Sequence, residues 1–101
     1  MSHPIIKKIQ RQTFTTLVRN VKLNVWTDGQ SCAAHLFFQR GDQTPTPVAY
    51  AISHTSDRCR LQKAQDQWSL WIGSAAFEIS EKDYQAIADL LGCAVVQEVA
   101  A

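Results

Sequence analysis

No run of about 18 apolar residues occurs in the 101-residue chain, so no segment reads as a membrane-spanning helix. The opening MSHPIIKKIQRQ carries charge but neither the apolar stretch nor the small-residue cleavage site of a secretory leader, and the expectation is a cytoplasmic protein. An excess of one charge sign is missing too: ten Lys and Arg stand against nine Asp and Glu, a net charge of +1. Low-complexity tracts and internal repeats are absent. Cysteine is sparse and odd in number, with Cys32, Cys59 and Cys93 standing 27 and 34 residues apart. That is not the spacing of a disulfide framework, and it suits reduced, buried thiols.

Signatures of chemistry are equally thin. There is no Walker motif, dinucleotide fingerprint or metalloprotease pattern, and no cofactor is expected. Cys32-x-x-His35 and His54 with Cys59 look like halves of a zinc site. Residues three apart on a strand face opposite ways, however, so Cys32 and His35 cannot share one ion, and no metal is expected. Cys59, His54 and Asp57 supply the residue types of a nucleophilic triad within six positions. Triads are assembled in space from separate segments, and HTSDRC reads more simply as a polar loop. The protein is expected not to be an enzyme.

What is present is a charge split and a β texture. Residues 1–63 hold nine bases against three acids, a balance of +6, whereas residues 64–101 hold one base against six acids, a balance of −5. A basic half can recruit phosphate backbones or acidic proteins, and it is also what solvated strand faces display. The whole chain reads as a single domain, 1–101, with residues 1–13 as a mobile basic arm or a short helix bearing Ile5, Ile6 and Ile9 on one face.

From Phe14 onward, side chains alternate. Leu17, Val21, Leu23 and Val25 oppose Asn20, Lys22, Asn24 and Trp26; after an Asp28-Gly29 turn, Cys32, Ala34, Leu36 and Phe38 oppose Ala33, His35 and Phe37. VAYAIS, RCRLQKA and WSLWIG continue the pattern after a loop marked by Pro45 and Pro47. Parity also separates the two tryptophans of WSLWIG: Trp68 belongs to the core and Trp71 to the other face. Ser80 with Asp83 reads as a capping pair, Tyr84, Ile87, Ala88 and Leu91 form one apolar stripe, and Gly92 is the stop. CAVVQEV then adds a last edge strand or a packed tail. The fold class expected is α+β: an antiparallel meander of about five strands followed by one C-terminal amphipathic helix packed on the sheet.

The strand-to-helix passage FEISEKDYQAIADLLG resembles the end of the positive-cofactor-four family of transcriptional coactivators. The likeness covers Phe77 to Leu91 and consists of a hydrophobic strand, a Ser cap, acidic residues, an aromatic and an apolar-striped helix. It implies a curved four-stranded sheet, dimerisation through helices and single-stranded DNA on the sheet face. The extra strands, the proline-containing loop and the acidic helix depart from that pattern.

The functional expectation is a small non-enzymatic binding protein that holds single-stranded nucleic acid on a basic sheet face. Arg58 and Arg60 share one strand face, Lys22, Trp26 and Arg40 come from neighbouring strands, and Trp71 offers a ring. The alternative is a protein-interaction module or inhibitor, such as a phage- or plasmid-encoded regulator of a host complex. A homodimer is expected, because one helix leaves much of a sheet uncovered.

Overall fold

The structure, a computed structural model, describes residues 9–55 and 59–97. Its first sheet is a meander of β1 (Gln10–Thr15), β2 (Val21–Thr27), β3 (Cys32–Phe38) and β4 (Thr46–Ser53), antiparallel throughout. The chain then crosses over and builds a second sheet from β5 (Cys59–Ala64), β6 (Gln67–Ile72) and β7 (Ala75–Ile79). Helix α1 (Tyr84–Leu91) leads into β8 (Ala94–Gln97), which returns parallel to β5, so the second sheet runs β7-β6-β5-β8.

This overturns the expected α+β fold of one five-stranded meander under a helix. Eight strands form two four-stranded sheets, and the helix has only eight residues. Two local turns account for two of the extra strands, β1 and β7, and β8 after the helix is the third. Residues Leu17–Asn20 form a hairpin turn inside what reads as continuous alternation, with Asn20 at φ 65° and the Thr16 hydroxyl donating to the Val21 carbonyl at 2.8 Å. Gly73, at φ 61°, separates β6 from β7 in the same way. At the N-terminus, Gln10–Thr15 is strand rather than arm or helix, while residues 1–8 of the expected arm lie outside the described residues.

One core serves both sheets. Leu23 and Val25 of β2, Leu61 of β5, Leu70 of β6 and Ile87 of α1 are all fully buried within a single cluster. Each is worth about 1.5–3 kcal/mol relative to exposure. Trp68 joins them, its indole stacked on the Tyr84 ring at 4.0 Å and 5°. This is the core placement that parity assigned to Trp68.

The helix begins later than its capping signature suggests. Ser80 donates its hydroxyl to the Asp83 carboxylate (2.8 Å), Asp83 occupies the N-cap with no side-chain cap bond, and a turn closed by the Asp83 N–H on the Ser80 carbonyl (3.0 Å) precedes Tyr84. The stop is as expected: Gly92 is left-handed at φ 64° and its N–H reaches the Ala88 carbonyl at 2.8 Å.

The cysteines also depart from expectation. Cys32 opens β3, Cys59 opens β5, and their sulfurs meet between the two sheets as a disulfide, leaving Cys93 as the free cysteine. Their 27-residue separation gave no hint of this, because the contact depends on how the sheets stack. The Cα atoms are 7.1 Å apart. For a loop of this length, the bond is expected to add about 3.5 kcal/mol through the unfolded state. Denaturant titration with and without reductant measures that gain. Alkylation of unreduced, unfolded protein should label Cys93 alone, and labelling of all three cysteines would show the pair to be open.

Candidate functional site

Stacking two sheets divides their strand faces into an inner pair, which makes the core, and an outer pair on opposite sides of the molecule. On the first sheet, the strand registers set the outer face out in three rows. Arg11, Trp26, Ala33 and Ile52 lie side by side across β1 to β4, and Thr13, Asn24, His35 and Tyr50 form the next row. Thr15, Lys22, Phe37 and Pro47 form the third. Neighbours within a row are about 5 Å apart, close enough for rings to touch. The His35 ring lies 5.5 Å from Phe37 and 6.0 Å, edge-on, from Tyr50. Tyr50 is 57% exposed, while Trp26, His35 and Phe37 are half-buried by their neighbours.

None of these twelve positions is a carboxylate. The core elements, including α1, lie on the inner side. Arg40 follows in the β3–β4 loop at the Lys22 end of the sheet, exposed, next to Gln39, whose N–H donates to the Asn20 carbonyl at 2.8 Å. At the other end, the β2–β3 turn is tied down by Asp28, whose Oδ1 accepts from the Gln30 N–H at 2.9 Å and the Ser31 N–H at 2.7 Å. The strands on either side of this turn are thereby held in register, and with them the rows.

The six residues singled out in the sequence therefore do not form one site. Lys22 and Trp26 lie on the first sheet's outer face and Arg40 beside it, but Arg60 and Trp71 lie on the second sheet, across the molecule. Arg58 is outside the described residues. The Arg60 guanidinium sits 5.0 Å from the Trp71 ring centroid, so the cation next to Trp71 is its cross-strand neighbour. Around this pair the second outer face carries Gln62, Ser69 and Glu78, a mixed surface with an acid on it.

Residues that the sequence reading left out of the site are Arg11, His35, Phe37 and Tyr50. Parity put His35 with Phe37, and Lys22 with Trp26, but only the β2–β3 and β3–β4 registers make them one face. Arg11 was hidden by reading its segment as an arm.

Other chemistry finds little support. His35 and Cys32 face opposite sides of β3, and no group of three or more His, Cys, Asp or Glu able to hold a metal occurs among the described residues. Of the three triad candidates, Cys59 is bonded to Cys32, His54 is exposed and Asp57 lies outside the described residues. An apolar cleft of about 220 Å³ opens between the sheets, lined by Leu17, Val18, Val21, Leu36, Ala49 and Phe77 among others, with Glu78 as its carboxylate. The hydroxyl that lines it, Thr16, is held by the Val21 carbonyl at 2.8 Å.

The chain matches no family model, no curated protein and no solved structure.

Burial pushes the thiol of Cys93, between α1 and β8, above its ordinary range. The folded protein holds that proton more tightly than the unfolded chain does. Stability is therefore expected to fall as the pH rises past the usual thiol range, and Cys93→Ala should remove that fall. Thermal unfolding between neutral and alkaline pH would measure it.

Proposed function

We propose that the protein binds single-stranded nucleic acid on the outer face of its first sheet and has no catalytic role. One observation carries the reading: Trp26, His35, Phe37 and Tyr50 share a face with Lys22 and Arg11, and no carboxylate interrupts it. Bases stack on such rings whatever their sequence, at about 1–3 kcal/mol each, while cations meet the phosphates. Duplex DNA suits the face poorly, because its bases are already stacked and their ring faces are hidden. A homodimer and a cytoplasmic site of action belong to this reading, and so does the likeness of the Phe77–Leu91 passage to single-stranded DNA-binding coactivators. The dimer cannot run through the helix stripe in that family's manner, since Ile87, Ala88 and Leu91 are buried in this chain's own core. A cytoplasmic site requires the Cys32–Cys59 pair to be reduced in the cell, whereas an oxidising compartment would keep it closed.

Anisotropy of a labelled oligothymidylate at low salt tests the proposal. Tyr50→Ala or Phe37→Ala should each weaken binding about tenfold, for the loss of one stacked base. Two phosphate contacts, from Lys22 and Arg11, predict a slope of about −1.4 in log affinity against log salt. Arg60→Ala, on the opposite face, should leave affinity unchanged. An oligonucleotide that fails to bind at low salt would sink the idea. The same face would then belong to the second reading, a protein-interaction module. That reading is favoured by the exposure of Val48, Tyr50 and Ile52 on β4.

A further inference from the structure

Two stacked sheets leave four edge strands, and sheet edges with free N–H and C=O groups invite pairing unless they are blunted. Three of the four are blunted: β1 carries Arg11, β7 carries Glu78, and β8, though uncharged with Val95 and Val96 exposed, is only four residues long. The fourth, β4, is the longest strand, and no charged residue occurs from Gln43 to Ser53. Its side chains are exposed or half-buried from Thr46 to Ile52, with Val48 and Tyr50 each 57% exposed and Ile52 41%. Pro47, which has no N–H, and the bulge that leaves Val48 without a partner on β3 protect its start, and the regular edge runs from Ala49 to Ser53.

The residues after Pro47 read Val48-Ala49-Tyr50-Ala51-Ile52, large and small alternating symmetrically about Tyr50. An antiparallel copy of the same segment, centred on the same residue, sets Tyr50 beside Tyr50 of the second copy. Val48 then meets Ile52 of the second copy, and Ala49 meets Ala51. Large side chains meet large ones on one side and alanines meet on the other, and no charge falls on either strand. Such self-complementarity is what a two-fold symmetric interface requires, because one patch must serve on both subunits. A different protein would have no reason to need that symmetry.

We infer that β4 is the edge through which two copies of this chain pair, antiparallel and centred on Tyr50, into one continuous eight-stranded sheet. The pairing does not depend on the nucleic-acid reading. If both hold, the aromatic rows of two copies lie side by side across the dyad.

Sedimentation velocity over a range of protein concentrations, together with cysteine cross-linking, tests the inference. The native chain should approach twice its monomer mass as concentration rises. Tyr50→Lys, an exposed position where two like charges would face each other, should hold it at monomer mass with its circular dichroism unchanged. Under mild oxidation, Tyr50→Cys should cross-link to itself. Val48→Cys should not, but should cross-link when mixed with Ile52→Cys. A native chain that stays monomeric at high concentration overturns the proposal. So does a dimer that survives Tyr50→Lys while Tyr50→Cys fails to cross-link. Loss of oligonucleotide binding with the dimer intact would overturn only the function proposed above.

Discussion

Each sheet of this protein has one apolar face, and neither can stay in water, so the two faces bury each other. Leu23, Val25, Leu61 and Leu70 come from both sheets and end in one fully buried cluster, with Ile87 of the helix filling it from the side. A helix of eight residues cannot cover a four-stranded sheet. The second sheet does what the helix cannot, and the helix carries the chain from β7 round to β8. The Cys32–Cys59 bond joins the layers where β3 and β5 begin.

The outer faces follow from that burial. Once the inner residues are committed, period-two alternation sends every other side chain outward, and the two outer faces point away from each other. Their chemistry differs. The first gathers four rings and two cations without an acid, while the second pairs Arg60 with Trp71 and includes Glu78. A ligand that needs exposed rings and positive charge is therefore better served by the first sheet. The even overall charge of the chain conceals this, because Asp66, Glu78, Glu81, Asp83 and Asp89 lie on and around the second sheet and the helix.

Much of this was legible in the residues. Alternation set Leu23 and Val25 against Lys22 and Trp26, Leu61 against Arg60, and Trp68 and Leu70 against Trp71, with Trp68 in the core, as the structure has them. The Asp28-Gly29 turn and the Gly92 stop also follow from local chemistry, whereas the choice between edge strand and packed tail after Gly92 was settled only by the pairing of Ala94–Gln97 with β5. The failures have local causes as well. The turn at Leu17–Asn20 is made by Asn20 in a left-handed conformation, amid apolar residues that look like strand. The Ser80–Asp83 pair resembles a capping box, but its carboxylate accepts from the Ser80 hydroxyl instead of capping backbone N–H groups.

Which side chains share a strand face could be read directly from the residues, because alternation is a local property of extended backbone. Only the tertiary structure decided which strands are neighbours, and therefore that Arg60 and Lys22 stand on opposite sides while His35, Phe37 and Tyr50 stand together. The same holds for Cys32 and Cys59. Strand pairing and sheet stacking join residues far apart in the chain, and neither composition nor spacing records which partner a strand will take.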